Sequence, residues 1–542
     1  MLVCRSCSFL SPCFSPSPLP CINSSSQRVY LTRSLDVQKL TSTRLLANLD
    51  TLASPVVASS PLLEHEEDDT AMQIPLKDEE NVPSNGDARF DWTEEWYPLY
   101  LSREVPDDAP VGLTVFDTQL VLYKDENSCF RCFEDRCPHR LAKLSEGQLI
   151  DGKLECLYHG WQFEGDGSCV TIPQLPQGAT IPRSACARSY EVKESQGVVW
   201  VWMSRKVPPN EAKLPWFEDF SRPEFQEIST IHELPYDNSI LIENVLDPSH
   251  LPISHDRTDT SAKRENACPL TFEITERSNR GFAGWYRDTK TQFSVRFEAP
   301  CVVTSVKESV DENGEKHYST GIFLCRPTGQ GKCMFILRFV TTKKSFLLEV
   351  VPNWILHLTS SKILEQDMGF LAFQNQVMMR EKLPTKNLYL NMKSSDVFVF
   401  EFRKWMDRAG QGMPYYIGHN TISLPAVTAV EEGSPAGSLA LSSSSLPAKG
   451  ADGSVFAPSL INRYFRHAVH CKDCRGVVQG CRKGKMWLTT GAVVFTAMAI
   501  MVSCRQWKML FCVCGCFSFF GLQVCSYVIA LLTTNFVRSH KL

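Results

Sequence analysis

The sequence predicts an α+β chain in three folded parts: a small all-β domain, a larger α+β domain suited to catalysis, and a C-terminal two-helix transmembrane hairpin. Three observations carry this. Over residues 90–205, short apolar alternations are separated by turn residues, the mark of compact β structure. Over 224–416, similar strands are interspersed with stretches of helical periodicity. Near the end, Met486–Cys504 and Met509–Thr534 carry no ionised side chain, and each reaches the roughly 20 residues a bilayer crossing needs.

A chain of 542 residues is too long for one ordinary domain, and 43% hydrophobic with 21% charged residues suits a protein with a sizeable core. A net charge of −4 argues against nucleic acid as a partner, because phosphate binding needs a large basic surface. The 22 cysteines are scattered along the chain rather than packed into a disulfide framework. A reducing compartment with a few metal-bound thiolates follows.

Residues 1–50 have the composition of an organellar transit peptide. From Met1 to Asn48 the single acidic residue is Asp36, while Arg5, Arg28, Arg33, Lys39 and Arg44 lie among many serines. A merely disordered tail is the alternative. Residues 51–89 form an acidic linker that repels itself. The β domain begins at Phe90-Asp91-Trp92. Within it Gly112–Tyr123 is expected to form two strands around Asp117, and Gly197–Trp202 a buried strand.

In the α+β domain, Leu270–Glu276 alternates as a half-buried strand, and Gly321–Cys325 with Cys333–Val340 flank a hairpin turn. That turn, Pro327-Thr-Gly-Gln-Gly-Lys332, is not a phosphate loop: the first glycine is missing and Cys333 stands where a hydroxyl is needed. Helices are predicted around Ile240–His250 and over Ser361–Lys382, the latter with Ile363, Leu364, Leu371 and Val377 on its apolar face. Residues 424–458 are a Ser/Ala/Gly/Pro linker and 459–485 a basic segment.

Over 486–534, Arg505–Lys508 is expected to be the turn between the two spans. Trp487 and Trp507 suit the lipid interfaces. Arg482, Lys483 and Lys485 with Arg538 and Lys541 outnumber Arg505 and Lys508, so both ends face the side that holds the folded domains. A buried hairpin in a third globular domain is the alternative.

Chemistry concentrates in two motifs. The first is Cys137-x-His139, sixteen residues, then Cys156-x2-His159. Structural zinc sites usually draw on Cys–Cys and His–His pairs, whereas here each short pair mixes the two types. The mixture suits a [2Fe–2S] cluster with two thiolates on one iron and two imidazoles on the other. Neutral imidazoles raise the potential to roughly −150 to +300 mV, against about −400 mV for an all-cysteine ferredoxin-type cluster, so such a centre can accept an electron from ferredoxin. The second motif is Asn244-x2-Asp247-x2-His250-x4-His255. Two close histidines plus a carboxylate form the facial triad of non-haem Fe(II), with positions left for O2 and substrate. On residues alone, such a pair also serves ordinary hydrogen bonds.

The flanks, Cys-Pro-His-Arg and Cys-Leu-Tyr-His-Gly-Trp, resemble the Rieske family. Neither loop holds the extra disulfide cysteine of cytochrome-complex Rieske subunits, which points to the oxygenase branch. That resemblance makes Cys137 and Cys156 ligands of one iron of the Rieske cluster and His139 and His159 ligands of the other. It makes His250 and His255 ligands of the mononuclear iron, and Asp247 the bridge from a cluster histidine to an iron-site histidine. Asn244 falls just outside the ligands. The third iron ligand is assigned to Asp367 in LEQDMGF, with Glu365 as rival and an exposed acidic helix face as the bland alternative.

With FDWTEEWYPLY, RYFRHAVHCKDC and the hairpin included, the chain resembles the plant chloroplast group of Rieske oxygenases, which includes pheophorbide a oxygenase. Within it, the likeness is strongest to the Rieske subunit of the inner-envelope protein translocon, also described as a phyllobilin hydroxylase. Ser249 stands where alanine is common.

The resemblance implies a helix-grip-like catalytic domain and a ferredoxin-driven monooxygenase of chlorophyll catabolism. It further implies a tetrapyrrole substrate, anchoring in inner-envelope lipid facing the stroma, and a homotrimer. A redox-sensing component of the import translocon, in contact with its other subunits, is the alternative function. The pair Cys471-x-x-Cys474 is assigned as a regulatory dithiol addressed by thioredoxin, while His467, His470 and Cys481 nearby keep zinc possible.

Overall fold

The computed structural model describes residues 90–424 and 462–536, apart from 223–224, 259–261, 289–290, 311–313 and 393. The transit segment, the acidic linker, nearly all of the 424–458 linker, and Arg538 and Lys541 lie outside the described residues.

The β domain is built from three small antiparallel sheets. Trp96–Leu101 and Val198–Trp202 pair with every residue buried, as the unbroken apolar sequence of the latter demands. The expected hairpin is Val111–Val115 with Thr118–Lys124, and it turns on Phe116 and Asp117, whose φ values of 43° and 63° are those a two-residue primed turn requires. A separate four-stranded sheet runs Gln148–Ile150, Lys153–Cys156, Trp161–Phe163 and Cys169–Thr171. It packs on its own small core of Tyr123, Phe133, Leu144, Leu154 and Phe163.

The α+β domain centres on a seven-stranded antiparallel sheet. Five successive hairpins run from Thr271–Ser278 to Lys332–Thr341, and Gln226–Leu234 returns to pair with the last strand. Between that first strand and the meander lie α1 (Asn238–Leu246) and α2 (Leu251–Ser254). After the meander come α3 (Phe346–Val350), α4 (Asn353–Glu381) and α5 (Val397–Ala409).

α4 begins eight residues before the expected start, directly after Pro352, and ends where Lys382 takes φ 52°. α5 is a helix for which the sequence reading has no counterpart. Its Val-Phe-Val-Phe-Glu-Phe run alternates like a strand, yet helical spacing places Phe398, Phe402, Trp405 and Met406 in the core.

The C-terminal hairpin comprises α6 (Lys472–Met501) and α7 (Arg505–Thr533), both long and apolar enough to cross a membrane. The expected turn is displaced. Val502–Cys504 makes the reversal, and Arg505–Lys508 forms the first turn of α7, because its backbone can hydrogen-bond within the helix while its charged side chains project outward. The basic segment is likewise the base of α6, with Cys474 and Val478 buried, preceded by a π-helical turn at Tyr464–Ala468.

Candidate metal centres

The two cluster loops project from two different sheets of the β domain. One follows the strand ending at Glu134; the other joins Cys156 to Trp161. Each closes on itself through a backbone bond, Leu141 N–H to Cys137 O at 2.9 Å and Gly160 N–H to Cys156 O at 2.8 Å. Gly160 takes φ 73° to do so, in the region where glycine alone is unstrained.

These turns bring Cys137, His139, Cys156 and His159 together. Both cysteines are buried, the two imidazoles lie 4.4 Å apart, and His139 stacks on Trp161 at 4.6 Å. The Cys156 thiol falls to about 6 because Cys137 hydrogen-bonds it, against the effect of burial and with help from the Tyr158 and His159 amides. His139 Nδ1 is buried without a protein partner, so its lone pair has no other use. Two thiols and two imidazoles so disposed fit a [2Fe–2S] cluster. Around them Leu141, Leu157 and Tyr158 form an exposed apolar rim.

The second site stands on three short elements. Asp237 caps α1 by accepting Ser239 N–H, and α1 stops at Asp247 because Pro248 follows. α2 then carries the chain from His250 to His255, and α4 crosses to supply Asp367. Asp367 Oδ2 lies 3.5 Å from His250 Nε2 and 3.3 Å from His255 Nε2. Ser254 holds the other Asp367 oxygen. This donor set fits non-haem Fe(II).

Asp247 Oδ2 is 3.4 Å from His250 Nδ1, and Asn244 Nδ2 is 3.4 Å from His250 Nε2 and 3.5 Å from Asp367. Burial alone would depress the His250 imidazole, but the Asp247 and Asp367 carboxylates outweigh it and raise it to about 9. The same pairing holds the Asp367 carboxyl well below its usual range despite burial.

Glu365 points elsewhere. It accepts from Arg463 Nε at 2.7 Å and Nη2 at 2.6 Å, from Arg466, and from the Phe536 amide. A cavity of about 900 Å³ opens on the triad, with Ile253, Phe370, Leu371, Leu388 and Val399 on its apolar side and Glu243, Arg264, Gln374, Tyr389 and Asp396 among its polar lining.

Cys471 and Cys474 are buried at the head of α6 and meet His357 from α4 and His467 from the π turn. His470 does not join them; its Nδ1 bonds Tyr100 Oη at 2.9 Å. His357 lies outside every motif and inside the two turns of α4 that periodicity does not mark, so nothing local in the sequence singles it out.

The Rieske [2Fe-2S] domain family matches residues 95–191, and the pheophorbide a oxygenase family matches 297–384. The chain is 57% identical to "Protein TIC 55, chloroplastic" of Pisum sativum, covering 90% of this chain and 89% of that one. It is 60% identical to the protein of the same name from Arabidopsis thaliana, over 84% and 85%. It is 30% identical to the pheophorbide a oxygenase of Arabidopsis thaliana, over 76% of each. Among solved structures, dicamba monooxygenase bound to dicamba superimposes with a TM-score of 0.51 at 21% identity, over 60% of this chain and 98% of that one, a likeness of fold.

Proposed function

This chain belongs to the TIC 55 and pheophorbide a oxygenase family of Rieske oxygenases, and from that premise we propose that it hydroxylates a linear tetrapyrrole of chlorophyll breakdown with electrons from ferredoxin. It is an oxidoreductase with a Rieske [2Fe–2S] cluster and a mononuclear iron, a multi-span protein of the chloroplast inner envelope with its soluble domains in the stroma. In this reading Cys137 and Cys156 hold one cluster iron, His139 and His159 the other, and His250, His255 and Asp367 the mononuclear iron. The catalytic sheet with α4 against it is a helix-grip-like frame.

The observation that carries the reading is the large cavity ending on the triad. Its volume lies near the upper end for small-molecule sites, room enough for a tetrapyrrole. Arg264 offers a cation for a substrate carboxylate. When bound, the cluster supplies single electrons and the iron supplies oxygen activation.

The rest belongs to the chain. The Asp247 carboxylate, 3.4 Å from His250 Nδ1, favours orienting the ring by charge with Nε2 toward the metal position. Ser254 occupies one Asp367 oxygen and leaves Oδ2 for the metal. The Asp247 side chain keeps 28% exposure, so a cluster histidine from a neighbouring subunit can reach it, and the apolar rim beside His159 suits such packing in a homotrimer.

The test is aerobic turnover of the full chain with reduced ferredoxin and a panel of porphyrin-derived and phyllobilin substrates, read by mass. Gain of one oxygen atom is expected. No gain across the panel from protein whose cluster is reduced by ferredoxin would sink the hydroxylase and leave the redox-sensing translocon component.

A further inference from the structure

We propose that His357, His467, Cys471 and Cys474 form a third metal centre, a closed structural site for one zinc ion that pins the base of the membrane hairpin to the helix bearing Asp367. The four donors come from α4, the π turn and the head of α6. All four side chains are buried, and their donor atoms lie within 4.8 Å of one another. His357 Nδ1 is 3.4 Å from Cys471 Sγ and 3.6 Å from Cys474 Sγ; His467 Nε2 is 3.4 Å from Cys474 Sγ. Tetrahedral zinc, with bonds of about 2.0–2.3 Å, separates its donors by roughly 3.3–3.8 Å.

The surroundings are those of ligands rather than of a loose polar cluster. His467 Nδ1–H donates to the Ile231 carbonyl at 2.8 Å, which leaves the Nε2 lone pair facing Cys474. The Cys474 amide donates to Cys471 Sγ at 3.5 Å, a bond that stabilises a thiolate there. Two thiolates and two neutral imidazoles around a divalent ion leave no net charge, which suits full burial. Zinc entry balances by expelling the two thiol protons to solvent. Four S2N2 donor atoms within 4.8 Å of one another enclose room for a single tetrahedral ion rather than a two-iron cluster, which suits zinc, and four protein ligands leave no open coordination position, so the role is structural.

The same pair read as a thioredoxin-addressed dithiol needs a thiolate to approach one sulfur, yet Cys471 is 1% exposed and Cys474 0%. The metal accounts for both histidines; the dithiol accounts for neither. Glu365, accepting from Arg463 just before the π turn and from Arg466 within it, ties the same elements by charge.

The experiment is elemental analysis of the full chain purified in detergent without chelators. About one zinc per chain is expected beside the iron of the two redox centres. Cys471→Ser with Cys474→Ser should abolish zinc while the visible Rieske spectrum and the iron content stay. If that variant does not fold, cobalt loaded in place of zinc in the unmutated chain should give thiolate charge-transfer bands, and a mercurial thiol reagent should release one zinc per chain from the unloaded protein, counted separately from cluster iron. Absence of zinc, a stoichiometric metal other than zinc, zinc retained in the double variant, or a Cys471–Cys474 disulfide formed and reduced by thioredoxin with no change in metal content would each overturn the proposal. None of these readouts depends on hydroxylation.

Discussion

α4 contributes to two donor sets ten residues apart, about 15 Å along its axis, and the contrast between them shows how coordination number separates chemistry from architecture. Near the middle, Asp367 meets His250 and His255: three donors, one partly exposed, beneath a cavity of about 900 Å³. Near the start, His357 meets His467, Cys471 and Cys474: four donors, all buried. Three ligands leave room for oxygen and substrate; four leave none. The residues between them keep the sites apart, since Glu365 is spent on Arg463 and Arg466 and is withheld from the iron.

The sharpest way to break the contrast is His250→Ala. A three-donor site cannot lose a ligand and hold iron, so hydroxylation should vanish while the Rieske absorption survives; measurable turnover in that variant would show that the triad is misassigned. Next in size is a pair of substitutions that should fail in opposite ways. Glu365→Gln leaves two buried guanidinium groups underpaired and should cost about 3–5 kcal/mol, seen in thermal unfolding, with iron uptake at the triad intact. Asp367→Asn should keep the fold and lose the iron. Iron lost from the glutamate variant and kept by the asparagine variant would make Glu365 the ligand. Smaller again is Asp247→Asn, which removes the negative charge facing His250 Nδ1 and should lower turnover roughly 10–100-fold with the cluster spectrum unaltered.

How legible each region was depends on how local its donors are. Cys137 with His139, Cys156 with His159, and His250 with His255 sit within loops of a few residues, where chemistry leaves its spacing in the sequence. Asp367 was reachable through the family likeness, which places a carboxylate in a similar acidic-helix context at this distance from the histidine pair. His357 was not. Asn353–Ser360 carries no clear helical stripe, and its histidine meets its partners across more than a hundred residues. α5 escaped for a related reason: Val397–Phe402 alternates with a period of two, and only packing against the sheet, where Phe398 stacks beside Phe282, makes it helical. The hairpin's existence follows from composition, but its turn does not, because Arg505–Lys508 is as compatible with a helix start as with a reversal.

The smallest effect tests the open site alone. In the metal-free triad, burial disfavours the charged His250 ring, yet Asp247 and Asp367 together raise it to about 9, so at neutral pH the ring holds a proton that an incoming metal must displace. Fe(II) affinity, titrated anaerobically, should therefore strengthen about tenfold per pH unit from 7 toward 9 and level off above it. Asp247→Asn removes one of the two carboxylates that hold the proton, so its plateau should begin at lower pH. A flat profile between 7 and 9 in the unmutated chain would mean that His250 is already neutral there and that Asp247 orients the ring without charging it. The sulfur-bearing site serves as the internal reference, because the metal that it takes up should track the two cysteines and be indifferent to Asp247.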